Sequence, residues 1–210
     1  MSFPNRYAIL VDGEWFKKDL HGKTTKSPNA RDIFDQIEKI RTHCKLNGTD
    51  LYRIFYYTAD PFEGTVQNPV NKESTKFSAT SQFLNNTRLI KEIESCSDYA
   101  VRRGRLIHRG WTLRRKALAR LEDDSQHTVG ASDIEPNITQ KGVDMMIGID
   151  MTSLALKRLV STVVIASGDS DLVPAMKLAR TEGLRVYLAI FQKSRISRDL
   201  RIHNDDILTL

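Results

Sequence analysis

The sequence predicts an α/β protein in three layers, an open and mainly parallel sheet with helices on both faces. Two observations carry that prediction. Apolar runs of strand length, such as residues 7–11 and 163–166, are continuous rather than alternating, the pattern of strands buried on both sides. Segments with helical spacing separate them, and an alternation of strand and helix implies right-handed crossovers between parallel strands. In such sheets, sites form at the carboxyl ends of the strands. The 210 residues suit a single domain spanning 1–210.

The elements follow in order. Residues 7–11 form a first strand that ends in Asp12-Gly13 and passes at once into a loop. From 30 to 46, Ile33, Phe34, Ile37, Ile40 and Cys44 line one face of an amphipathic helix whose solvent side carries Asp35, Glu38, Lys39 and Arg41. Residues 51–57 are a second strand, stopped by the proline at 61. A polar loop runs to about Thr75, then a helix over 76–96 turns Phe83, Ile90 and Ile93 inward, and a third strand covers 99–108. Residues 122–140 mix Gly, Pro, Ser, Asn and Asp without periodicity and predict a flexible insertion. A helix at 142–158, a β-branched strand at 161–166, a helix at 171–182 closed by Gly183 and a strand at 185–191 complete the pattern.

Composition narrows the function. A 40% share of hydrophobic residues excludes disordered and collagenous classes. Lys and Arg number 32 against 26 Asp and Glu, a formal charge of +6 that favours a polyanionic partner. Cys44 and Cys96 lie far apart, and no leader segment precedes Tyr7, so both read as reduced core residues of a cytoplasmic protein. Every apolar run falls well short of the roughly 20 residues of a membrane helix, so no membrane partner is expected.

Four aspartates fall where the fold rule places function. Asp12 ends the first strand, Asp169 and Asp171 follow the strand ending at Ala166, and Asp144 opens a helix. A carboxylate at the end of a buried strand is costly unless it is solvated, hydrogen-bonded or bound to a cation, and converging carboxylates repel until a divalent ion neutralises them. Oxygen ligands select Mg²⁺ or Mn²⁺. Taken singly, each acid has a plainer reading: Asp171 as a helix cap, Asp144 as a favourable charge at a positive helix end. The run Ser-Gly-Asp-Ser-Asp at 167–171 also invites a serine-hydrolase reading. We reject it, because the motif follows a late strand and Asp199 stands four positions before His203 rather than in an Asp-x-x-His. Ser167 and Ser170 read as turn formers or minor ligands of a metal-bound water. His21, His43, His108, His127 and His203 lack metal-ligand spacing.

The segments Ala-Ile-Leu-Val-Asp-Gly-Glu at 8–14, Lys-Gly-Val-Asp-Met-Met-Ile-Gly-Ile-Asp at 141–150, Val-Val-Ile-Ala-Ser-Gly-Asp-Ser-Asp-Leu-Val-Pro at 163–174 and Gly-Leu-Arg-Val at 183–186 resemble the NYN domain family. The resemblance is to its LabA-like branch, within the PIN-like nuclease fold, and it runs from about residue 7 to 210. It implies a metal-dependent ribonuclease whose catalytic and Mg²⁺- or Mn²⁺-binding residues are Asp12, Asp144, Asp169 and Asp171. The family often carries Asn three residues after the first Asp; this chain has Trp15 there, with Glu14 as a substitute polar contact. Asp150 also matches the family pattern, but six residues from Asp144 is about 240° around a helix, and we read it as structural or peripheral.

Acids alone would repel RNA. Between 99 and 120 the chain carries Arg102, Arg103, Arg105, Arg109, Arg114, Arg115, Lys116 and Arg120 with no acidic residue, interleaved with Tyr99 and Trp111. Guanidinium groups grip phosphates bidentately, and an exposed ring stacks on an unpaired base. Arg102, Arg103, Arg105, Arg109 and Lys141 are therefore expected to bind RNA, single-stranded or structured with flexible regions. A solvated face or a homodimer contact is the plainer reading of the same run. Trp15 motivates a second class of function, a non-catalytic RNA-binding or regulatory module on the same fold. A small-molecule phosphatase is disfavoured, because the first strand has no Asp-x-Asp pair and the chain has no P-loop.

Overall fold

The computed structural model describes residues 3–22, 27–123, 128–192 and 194–210. Its strands are β1 (Arg6–Asp12), β2 (Asp50–Asp60), β3 (Thr65–Gln67), β4 (Ser74–Lys76), β5 (Tyr99–Leu113), β6 (Ile134–Lys141), β7 (Thr162–Ala166), β8 (Arg185–Ile190) and β9 (Asp206–Thr209). Its helices are α1 (Gly13–His21), α2 (Ala30–Arg41), α3 (Ser81–Glu94), α4 (Arg115–Asp123), α5 (Val143–Leu156), α6 (Val173–Thr181) and α7 (Arg198–Ile202). Seven strands are hydrogen-bonded in the order β6-β5-β2-β1-β7-β8-β9, and β3 pairs with β4 separately. The chain divides into two compact units, one of Met1–Thr58, Leu89–Gly104 and Gly142–Leu210, the other of Ala59–Arg88 and Arg105–Lys141.

In the first unit β1 runs parallel to both β2 and β7, β7 to β8, and β8 to β9. Side chains of a strand alternate between faces, and β1 is apolar at every position from Tyr7 to Val11, so it feeds two cores. Ala8 and Leu10 join Val163, Ile165 and the buried residues of α5 and α6. Tyr7, Ile9 and Val11 join Phe16 and Leu20 of α1, Ile33, Ile37 and Ile40 of α2, and Ile93 of α3. Helices therefore cover both faces of a mainly parallel sheet, the predicted fold class. In the second unit Arg105–Leu113 of β5 pairs antiparallel with β6 across an irregularity between His108 and Trp111, and Phe62 packs its ring on Phe77 and His108.

Several elements depart from the sequence reading. The chain does not pass from β1 into a loop: Asp12 caps α1 directly, with Phe16 and Leu20 one turn apart on its buried face. Residues 134–140 of the expected insertion belong to β6, since a strand paired along an antiparallel neighbour needs no apolar alternation of its own; residues 124–127 lie outside the described residues. β9 and α7 extend the chain beyond the last predicted strand. Gly183 closes α6 with φ 96°, the left-handed geometry expected of it. Cys44 is not a core residue: it is exposed in a short 3-10 turn, while Cys96 is half-buried, and both are free thiols. Among the described residues no helix is long and apolar enough to cross a membrane.

Candidate active site

From β1 the chain leaves through α1 and α2 on one face towards β2, whereas from β7 it leaves through α6 on the other face towards β8. The crevice between β1 and β7 is thus the point where the direction of winding reverses, the place where open parallel sheets form ligand sites. Val11 pairs with Ala166 in register, so Asp12 and Ser167 follow side by side.

Asp12 is 7% exposed. Its Oδ1 accepts hydrogen bonds from the backbone N–H of Glu14 and of Trp15, each at 3.2 Å, which caps α1. Its Oδ2 accepts from the Ser167 hydroxyl at 3.1 Å, and the same Ser167 oxygen accepts from the Asp169 N–H at 3.1 Å. Asp169 Oδ1 in turn accepts from the Asp171 N–H at 2.9 Å, capping a 3-10 turn over Ser170–Leu172. A continuous chain of hydrogen bonds therefore ties the end of β1 to the loop after β7. Ser167, wholly buried, is its hub, a role that its turn-forming sequence context did not reveal.

Charge follows from this placement. Desolvation raises the Asp12 carboxyl above the ordinary carboxylate range, against hydrogen bonds from Trp15 and Ser167 that lower it, and the charge of Asp144 adds to the rise. Asp144, at the first turn of α5, is raised by desolvation and then by the charges of Asp169 and Asp171. The four predicted aspartates thus share one field. Asp169, rather than Asp171, caps the turn that leads into α6, and Asp12 caps α1.

Two close approaches shape the crevice. A Cβ on Gly13 would stand 2.7 Å from the Tyr56 ring and from the Tyr57 carbonyl, so only glycine follows Asp12 here. The Tyr56 hydroxyl below it is buried without a hydrogen-bond partner. A Cβ on Gly168 would stand 2.3 Å from Trp15 Nε1, because the indole lies across the Ser-Gly-Asp-Ser-Asp loop and packs on Phe16 and Phe191. Trp15 therefore fills apolar space. Glu14 turns outward to Lys17 at 3.2 Å.

The donor set suits a hard divalent cation: all four carboxylates offer oxygen, and their mutual repulsion is what such an ion relieves. Among the described residues, however, no three His, Cys, Asp or Glu side chains are arranged so as to hold one ion between them. Asp12 and Asp169 are held by protein hydrogen bonds, while Asp144 and Asp171 are exposed.

The predicted RNA-binding cations are sorted by the structure. Arg102 Nε donates to Asp150 Oδ2 at 2.9 Å, the oxygen that also accepts from the Tyr57 hydroxyl at 2.9 Å, and its guanidinium lies over the Phe55 ring. Arg103 is paired with Glu94. Arg105, Arg109 and Lys141 belong to the second unit and make no ion pair among the described residues. His127 lies outside the described residues.

Fold and acidic crest together define a PIN-like α/β domain. Residues 77–210 match the NYN domain, and the chain belongs to that family, a family of PIN-like nucleases. The match contains Asp144, Asp169 and Asp171 and leaves Asp12 outside. An uncharacterized protein of Sinorhizobium fredii, y4oD, is 41% identical over 59 residues, 28% of this chain and 28% of its own length. A Vibrio parahaemolyticus protein of unknown function, VPA0982, superposes over 100% of this chain and 95% of its own with a TM-score of 0.55 at 13% identity, a likeness of fold.

Proposed function

We propose that the protein is a metal-dependent ribonuclease hydrolysing RNA phosphodiester bonds, with Asp12, Asp144, Asp169 and Asp171 holding Mg²⁺ or Mn²⁺. The observation that carries this reading is the gathering of four carboxylates at the crevice between β1 and β7, where burial and mutual repulsion hold two of them above their ordinary pKa. A divalent cation bound there supplies activation of a water and neutralisation of charge on the scissile phosphate. The chain's own residues do the rest: Ser167 bonds both the Asp12 carboxylate and the Asp169 N–H, and on this reading the exposed Asp144 and Asp171 meet the substrate. Purified protein with Mn²⁺ is expected to cleave a generic RNA, and Asp144→Asn or Asp169→Asn to abolish cleavage while the protein stays folded. Equal trace activity in wild type and both variants sinks the enzyme reading.

One observation favours a second reading, a non-catalytic RNA-binding module: no three acids among the described residues are set to hold an ion. Calorimetric titration with Mn²⁺ separates the two, because the module binds RNA but shows no heat of metal binding at millimolar Mn²⁺.

A further inference from the structure

The second unit carries a pairing that a strand ladder normally avoids. Arg105 of β5 and Lys141 of β6 stand directly opposite each other in register, and both are exposed. Directly opposed residues of an antiparallel pair share a face with Cβ atoms about 5 Å apart, and like charges there destabilise the pairing. At the other end of the same two strands the charges are opposite, with Arg114, just past β5, meeting Glu135 of β6 at 3.4 Å. Neither Arg105 nor Lys141 has an acidic partner among the described residues. Between the two ends Thr139, opposite Ile107 and on the same face as Lys141, keeps a buried hydroxyl with no hydrogen-bond partner. An anion placed between the two cations converts their repulsion into attraction and offers oxygens to both.

We propose that the paired strands β5 and β6 grip a backbone phosphate of a nucleic-acid strand between Arg105 and Lys141. This deepens the ribonuclease reading by dividing the labour among its cations: Arg102 and Arg103 serve the fold through Asp150 and Glu94, and Arg105 with Lys141 holds the polyanion.

The test uses the whole chain in EDTA, so that cleavage cannot enter, and follows the anisotropy of a fluorescein-labelled oligouridylate of about 12 nucleotides across a KCl series. R105A/K141A is expected to weaken binding about tenfold at low salt and to make the slope of log affinity against log salt less negative by about 0.7, the value for one phosphate on a single strand. R31A/K39A, which removes the same charge from the exposed side of α2, is expected to leave both unchanged. Without RNA, Lys141→Glu is expected to raise the melting temperature while weakening binding. An unchanged slope in R105A/K141A or an equal loss in the α2 control overturns the assignment. Failure here leaves the cleavage test of Asp144→Asn untouched, and failure of cleavage leaves this binding test untouched.

Discussion

Asp12 combines two demands that pull its proton in opposite directions. It caps α1 and accepts from Ser167, which favours the charged form, yet burial beside Asp144 outweighs those bonds and raises its pKa. A carboxyl raised in the folded state binds more protons there than in the unfolded chain, so stability falls as pH rises from the unfolded value through the folded one, and the penalty is full above it. Asp12→Asn keeps an oxygen for the two N–H groups and presents an amide to a hydroxyl that can turn to accept. It is expected to raise stability at pH 7, with the gain shrinking in urea titrations as pH falls from the raised folded value to the ordinary carboxylate value. The same variant should lose cleavage. Gly168→Ala drives a methyl into the Trp15 indole and is expected to cost about 1–3 kcal/mol. Combined with Trp15→Ala, which itself opens a cavity, the loss should be less than additive in a double-mutant cycle; full additivity would place the indole elsewhere.

Among the elements, α5 joins the site to the rest of the sheet. Its first turn presents Asp144, and six residues on Asp150 accepts from Tyr57 of β2 and Arg102 of β5. Asp150→Ala leaves the Tyr57 hydroxyl, largely buried, without its acceptor and is expected to destabilise by about 1–3 kcal/mol. Arg102→Ala removes a partner that is 41% exposed and should cost less, by chemical denaturation of both. The reverse order would mean that packing of Arg102 on Phe55 outweighs the hydrogen bond. α5 was expected at 142–158, but its apolar residues run all round it, and only the fold buries Val143, Ile147 and Met151 while leaving Met145, Ile149 and Leu156 exposed. α1 was not expected, because Asp12-Gly13 at a strand end reads as a turn, and the pair Phe16 and Leu20 is too short a periodic signal to separate a helix from a loop. β6 was hidden for a related reason: its ladder to β5, rather than any apolar pattern, makes it a strand.

At the scale of the whole molecule, the reversal of winding between β1 and β7 collects acids from residues 12, 144, 169 and 171 at one crevice. If repulsion among them is relieved by a cation, millimolar Mn²⁺ should raise the melting temperature of wild type at pH 7, and Asp144→Asn should lose most of that increase. No shift in wild type would count against the proposed metal. The fold class was legible beforehand, since continuous apolar strands dictate a sheet covered on both sides; the four aspartates were expected at its carboxyl edge, where Ser167 ties Asp12 to the Asp169 backbone but no three acids among the described residues are set to hold one ion. Which cations are engaged was not legible: Arg102, Arg103, Arg105 and Arg109 look equivalent in a run without acids, and only the folded chain brings Asp150 to the first and Glu94 to the second. The sequence by itself determined the layers, because the burial pattern of each strand and helix is a property of local residue spacing. Tertiary structure alone decided the hub at Ser167, the space taken by Trp15 over Gly168 and the opposed pair Arg105 and Lys141, because each depends on register between segments far apart in the chain, and a spacing along one segment carries no information about what will stand opposite it.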